Sequence, residues 1–253
     1  MSLHPDADDL VRSFGEALRP VAGVSAFWVA GSLAAGDYRP GISDLDLVAL
    51  VESPLNHEQQ RGLTDLHGGL MDHDDRATKL HCDYLSATEL DDVAAEHLRW
   101  AHGELYRHAL SGIARAELLR FGVTVYGPSP ADVLPPVDDA DLAVAVRGEL
   151  TGYWTDALRK PHLWLQDVYV DIGLFTLARA VATLQDGRLV TKEEALPRLA
   201  GLGVDPDLVA EMTQRRHGRP VRLSALQRLA RARHVRQVMA RGIADLTGPT
   251  RSR

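Results

Sequence analysis

The sequence predicts a two-domain protein, in which an α/β (α+β) domain with a short mixed sheet precedes an all-α helical bundle. Up to residue 126, short strand-like runs alternate with helical patterns. A segment at 127–136, GPSPADVLPP, then has four prolines in ten residues and is typical of a linker. Beyond it every long segment has apolar residues three or four positions apart. We therefore predict domains of residues 1–135 and 136–253.

Composition excludes several classes of protein. The 253 residues are 45% hydrophobic and 25% charged, which suits folded domains and not a disordered chain. No apolar run approaches the roughly 18–20 residues of a membrane helix, and the acidic N-terminus does not resemble a signal peptide. The single cysteine, Cys82, excludes an internal disulfide and a cysteine zinc site. We expect a cytoplasmic protein without a membrane partner.

Charge is divided unevenly along the chain. Residues 1–210 carry 33 acids and 17 bases, whereas 211–253 carry 11 arginines and two acids, giving net charges of −16 and +9. The acidic part argues against nucleic acid as a partner of the whole protein. The apolar residues of the basic segment favour an amphipathic helix docked on the acidic body: Leu223, Leu226, Leu229, Val235 and Val238. A nucleic-acid-binding arm is the alternative.

Periodicity and turn residues predict the elements in order. The expected elements of the first domain are a helix at 6–19, strands at 24–30, 44–51 and 80–85, a helix at 57–71, mainly helix at 88–121, and a strand at 123–126. The expected helical segments of the second domain are 139–158, 163–185, 192–201, 205–216 and 222–246. The run at 44–51 is apolar enough for a buried central strand.

A glycine–serine pair followed by paired aspartates carries the chemical signal. Gly31 and Ser32 end the first strand, and after eleven intervening residues Asp44 and Asp46 begin the second. Because residues two apart on a strand share a face, both carboxylates are expected on one side of the sheet. Such a pair suits Mg²⁺, which prefers oxygen ligands, and a small residue at a helix start lets phosphate approach backbone N–H groups. A Gly-Ser pair alone is more often a simple turn, and paired aspartates alone are more often solvated or capping residues.

The segment GSLAAGDYRPGISDLDLVAL resembles the signature of the DNA polymerase beta-like nucleotidyltransferase superfamily. More narrowly, it is similar to the aminoglycoside adenylyltransferases that modify streptomycin and spectinomycin. FGVTVYGPSPADVL (121–134) and LFTLARAVATLQDGRLVTKEEAL (174–196) also resemble segments of that family. The resemblance covers most of residues 24–200. It implies a nucleotidyltransferase catalytic domain followed by a helical domain that binds substrate and nucleotide.

The resemblance also implies the reaction and its cofactors. AMP would pass from ATP to a hydroxyl of a small acceptor, such as a cationic aminoglycoside-type antibiotic, with two Mg²⁺ ions and a monomeric enzyme. Asp44 and Asp46 would hold the metal, and Gly31 and Ser32 the phosphates. Acceptors that are metabolites or proteins, or a catalytically silent nucleotide-binding module, are the alternatives.

A third carboxylate is expected from a neighbouring strand, and Asp83 is the candidate. It follows Asp46 by 37 residues, and strand alternation places it with His81 on the face opposite Leu80. Related aminoglycoside enzymes tend to have glutamate as a base there. Asp83 is therefore either a base for the attacking hydroxyl or a metal ligand.

The helical domain supplies further candidates. The resemblance assigns nucleotide contacts to an arginine and a lysine thirteen residues apart, and Arg179 and Lys192 have that spacing. Asp167 and Asp171 share a helix face and could bind ammonium or guanidinium groups, or could be solvated. Four aromatic residues are expected to pack in the core or between the domains, with ligand stacking as the alternative: Trp100, Tyr106, Trp154 and Trp164. The triplet His73-Asp74-Asp75 is expected in a polar loop, with a metal cluster as the alternative.

Overall fold

The computed structural model describes residues 3–248, which form two compact units divided between Val137 and Asp138. The predicted division between 135 and 136 lies two residues before this boundary. Within the described residues, the helices are too short or too polar to cross a membrane.

The N-terminal unit combines a mixed sheet with helices. Its elements are α1 (Pro5–Ala22), β1 (Val24–Val29), α2 (Gly31–Ala34), β2 (Leu45–Val51), α3 (His57–His73), β3 (Leu80–Ser86), β4 (Glu96–Ala101), β5 (Glu104–Ala109), α4 (Gly112–Phe121), β6 (Val123–Tyr126) and α5 (Pro130–Val133). The strand order is β5-β4-β3-β2-β1-β6, with β2 and β3 parallel and the other neighbours antiparallel. This is the mixed sheet that the sequence predicts.

One face of the sheet is covered by α1 and α3. Alternate residues of β2, including Leu45 and Leu47, pack there against the apolar stripe of α1, which includes Phe14 and Leu18. The other face has a smaller apolar cluster in which Trp28 and other strand residues pack with side chains of α4. Because this second cluster covers only part of its face, polar side chains of β2 and β3 have room beside it.

The prediction of mainly helix at 88–121 is wrong for its first two-thirds. Residues 96–109 form the β4–β5 hairpin, and α4 begins only at Gly112. The hairpin turns at His102 and Gly103, both with positive φ (56° and 82°), as the favoured two-residue hairpin turn requires. The apolar residues Leu98 and Trp100 are two apart and face the α1–α3 layer, a strand period that is easily mistaken for a helical one in a short window.

The C-terminal unit is entirely helical among its described residues. Its helices are α6 (Asp139–Glu149), α7 (Thr155–Leu158), α8 (Asp167–Asp186), α9 (Lys192–Ala195), α10 (Pro206–Arg216) and α11 (Ala225–Thr247), with a π-helical turn, Leu150–Trp154, joining α6 to α7. Trp154 and Trp164 are fully buried and pack so closely on Gly173 of α8 that a Cβ there would press on both rings. The predicted packing role of these two tryptophans agrees with their burial.

Candidate active site

Asp46 lies on the less covered face of the sheet, near the start of β2. Leu45 and Leu47 on either side of it are buried in the larger core, so alternation directs Asp46 to the opposite face, as predicted. The Asp46 side chain is 37% exposed. Asp44 lies one residue before β2 begins, at 43% side-chain exposure, and its Oδ1 is 3.5 Å from Nζ of Lys79.

The Gly31–Ser32 turn is built against Asp46. The backbone N–H of Ala30 donates to the Asp46 carbonyl (2.8 Å), which holds the end of β1 beside the start of β2. Gly31 has a φ of +58°, and a Cβ at this position would overlap the Asp46 carboxylate. Both the backbone conformation and the close approach therefore require glycine. A short helix, α2, begins at Gly31.

Asp83 lies on the same face of β3 but is already paired. It is in register with Arg99 of β4, whose Nη1 donates to the Asp83 carboxylate at 2.9 Å. Nη2 of Arg99 is also 4.0 Å from Oδ1 of Asp46. Burial raises the pKa of Asp83, and Arg99 only partly opposes that rise. Burial also opposes the charge of Arg99, but Asp83 and Asp46 outweigh it and raise the arginine pKa.

His81 is the strand residue that lies directly beside Asp46. The two are register partners in the parallel β2–β3 pair, and Nδ1 of His81 is 3.7 Å from Oδ1 of Asp46. The imidazole is buried and lies edge-on to His102 of the hairpin turn, with ring centroids 4.7 Å apart. The sequence placed His81 on this face; Arg99 was missed, because its partners lie on other strands and a lone arginine gives no local signal.

The three aspartates do not form a ready-made metal centre. Across residues 3–248, no three or more His, Cys, Asp or Glu side chains are gathered closely enough to hold a metal ion. Asp44 and Asp46 are nevertheless partly exposed carboxylates beside a glycine turn. That donor set fits one Mg²⁺, which readily completes its shell with water and phosphate oxygens.

Arg179 and Lys192, the candidates for contact with the nucleotide, lie on neighbouring segments of the helical unit. Arg179 of α8 donates from Nε to the carbonyl of Val190 (2.8 Å), two residues before Lys192. Lys192 is the first residue of α9, whose Thr191 cap accepts from the backbone of Glu194. Arg179 is thus tied to the segment that carries Lys192.

Asp167 and Asp171 bind guanidinium groups, and these groups belong to the chain itself. Arg215 of α10 donates two hydrogen bonds, of 2.6 and 2.8 Å, to the Asp171 carboxylate. Arg231 of α11 donates to Asp167 at 2.6 Å, and Glu211 lies 3.4 Å from both arginines. The buried Arg231 side chain is only 4% exposed. Both acids therefore already have a cationic partner within the helical unit.

Docking of the basic segment is seen within the helical unit. Val235 and Val238 of α11 are buried, and α11 packs on α8. Leu226 and Leu229, expected on the docked face, are instead 79% and 56% exposed, since the buried part of α11 begins only at Arg231. Arg251 and Arg253 lie outside the described residues.

The other candidates have structural roles. Asp74 caps the turn that follows α3 and pairs with Arg76 at 2.6 Å, so it has a structural role in the His73-Asp74-Asp75 triplet. Trp100 is buried in the core, as expected. Tyr106 is 40% exposed and is the register partner of Arg99, so the expected packing role does not hold for it.

This chain matches one family description and resembles solved structures. Residues 11–95 match the family described as Nucleotidyltransferase domain. The structure matches spectinomycin adenyltransferase AAD(9) from Enterococcus faecialis, solved with ATP and spectinomycin, with a TM-score of 0.70 and 14% identity over 92% of this chain and 98% of that one. No curated protein sequence matches the chain significantly. The family match over residues 11–95 bears out the predicted transferase class, and the shared fold bears out the predicted fold class.

Proposed function

We propose that the protein transfers AMP from ATP to a hydroxyl group of a small acceptor in a Mg²⁺-dependent reaction. One observation carries the proposal. The Gly31–Ser32 turn is held against Asp46 with no space for a side chain at Gly31, and Asp44 lies two residues before Asp46. Phosphate oxygens can approach such a turn closely. The carboxylate pair beside it suits the metal ion of a nucleoside triphosphate. The family match over residues 11–95 supports the same reaction class.

In this proposal the residues have separate tasks. Asp44 and Asp46 would hold Mg²⁺, which when bound neutralises charge developing on the phosphates. Gly31 and Ser32 would offer backbone N–H and hydroxyl donors to the phosphate oxygens. The acceptor oxygen bonds to the α-phosphorus while the bond to the β-phosphate oxygen breaks, and pyrophosphate leaves. Asp83 is the proposed acceptor of the hydroxyl proton.

Arg179 and Lys192 are proposed as further contacts to the triphosphate. Support comes from their thirteen-residue spacing and from the hydrogen bond that ties Arg179 to the segment preceding Lys192. Each cation would compensate charge on the phosphates.

The acceptor is proposed to be an aminoglycoside-type antibiotic, since the structural neighbour was solved with spectinomycin. Its recognition would not depend on Asp167 and Asp171, because the chain's own Arg231 and Arg215 already pair with them. This internal pairing also favours a second candidate, a small metabolite that carries no guanidinium group.

The test is pyrophosphate release from ATP and Mg²⁺ in the presence of spectinomycin, streptomycin or neutral sugars. We expect acceptor-dependent release that stops when the metal is removed by a chelator. Release with spectinomycin but not streptomycin would fit acceptor binding that does not depend on the α8 acids. Equal release with and without every acceptor, or release insensitive to the chelator, would contradict the proposal.

A further inference from the structure

Arg99 occupies an unusual position for a cation in a site that is proposed to bind a metal ion. Its guanidinium lies between two carboxylates of the same sheet face, 2.9 Å from Asp83 and 4.0 Å from Asp46. The Arg99 side chain is 22% exposed and that of Asp83 only 13%. A partly buried charge pair of this kind is screened weakly by solvent, so the guanidinium is a strong competitor for any other cation.

Strand register separates Asp83 from the metal-binding aspartates. Asp46 is opposite His81, whereas Asp83 is opposite Val48, which is two residues further along β2. With a rise of about 3.3 Å per residue, Asp83 lies about 6–7 Å further along the strand direction than Asp46. The strand position beside Asp46 is filled by an imidazole, and the third carboxylate is directed to Arg99.

The charge balance around Asp83 also indicates that Arg99, and not a metal ion, is its partner. The Asp83 side chain is only 13% exposed, so its charge is poorly solvated and needs a nearby positive charge. Arg99 supplies it through a direct hydrogen bond and is fixed by the β3–β4 register, in which Asp83 and Arg99 are partners. Because this guanidinium is fixed beside it, the Asp83 carboxylate does not need a metal ion as its counter-ion.

We propose that Arg99 is a built-in counter-ion that takes the place of a second metal ion in this site, leaving Asp44 and Asp46 to bind one divalent cation. In this arrangement Arg99 is a positioning residue, and Asp83 stays outside the metal's coordination shell. The inference rests on the proposed function for its biological meaning, but its test does not require turnover.

The experiment measures Mn²⁺ binding to the full, nucleotide-free chain by calorimetry or by the electron paramagnetic resonance of free Mn²⁺. In the Arg99→Leu variant, Asp46 and Asp83 lose their internal cation, so we expect Mn²⁺ affinity to rise about tenfold or more. Arg99→Lys retains the charge and should bind Mn²⁺ as the unsubstituted chain does. Arg107→Leu removes one positive charge from the same hairpin, away from Asp46, and should change the affinity less than about twofold.

Asp83→Asn in the Arg99→Leu background identifies the source of the gain. If Asp83 becomes a ligand only when Arg99 is absent, this double variant loses most of the added affinity. Thermal unfolding of each variant establishes that the hairpin still folds. Should Arg99→Leu prove unable to fold, Arg99→Gln replaces it as the uncharged variant, with the same expected gain in Mn²⁺ affinity.

The inference is overturned if folded Arg99→Leu binds Mn²⁺ no more tightly than the unsubstituted chain. It is also overturned if the unsubstituted chain binds two Mn²⁺ ions and Asp83→Asn removes one of them. A gain in Arg99→Leu together with no pyrophosphate release from the unsubstituted chain would uphold the inference and reject the proposed function.

Discussion

Gly31 is a position at which the structure requires glycine. Its φ of +58° disfavours any side chain, and its Cβ position is filled by the Asp46 carboxylate. We expect Gly31→Ala to displace Asp46 and to reduce AMP transfer by about a hundredfold or more. Gly23 is a matched control, since it has a φ of +62° at the end of α1 and open space around its Cβ position.

Gly23→Ala imposes a similar backbone cost, of about 1 kcal/mol, without touching the site. Steady-state rates of both variants check the prediction. Comparable losses of activity in the two variants would show that backbone strain, and not the contact with Asp46, explains the need for glycine at position 31.

Helix α3 is joined to the sheet by His67, which the sequence did not single out. The imidazole is buried, stacks on Trp100 of β4 at 4.3 Å between ring centroids, and hydrogen-bonds to the Tyr84 hydroxyl of β3 at 2.7 Å. Burial lowers the pKa of His67 from 6.5 to about 3. The folded state therefore keeps this ring neutral at pH values where the unfolded chain protonates it.

This difference predicts the direction of a pH effect on stability. Between about pH 6.5 and 3 the unfolded state binds the extra proton, so the free energy of unfolding falls as the pH falls. From about pH 7.5 to about pH 5, His67 should account for a loss of about 2 kcal/mol. Denaturant titrations of the unsubstituted chain and of His67→Gln check this. Identical pH dependence in the two proteins would contradict it.

The elements differ in how well the sequence predicts them. The strands β1, β2 and β3 and helices α1 and α3 were predicted within a few residues, because long apolar patterns and glycine or proline breaks mark them. The β4–β5 hairpin was missed, since its apolar residues are few and its turn depends on a histidine with positive φ. Missing β4 also meant missing Arg99, whose role depends on strand pairing alone.

In the molecule as a whole, the uneven charge of the sequence is partly balanced inside the helical unit. Arg215 and Arg231 of the basic segment pair with Asp171 and Asp167 of α8. Burial raises the pKa of Asp171, and its contact with Arg215 opposes that rise. Part of the arginine-rich segment thus forms ion pairs within the helical unit. The sequence predicted that this segment docks on an acidic body, but not which residues pair.

The central claim is that Asp46 holds the metal for AMP transfer, and the most direct test is the rate of pyrophosphate release by Asp46→Asn. The substitution preserves shape and removes the charge, so we expect a loss of at least about a hundredfold. Asp65→Asn, an equivalent change at an exposed position of α3, is the control and should retain the full rate. An Asp46→Asn rate within about tenfold of the unsubstituted chain would contradict the account.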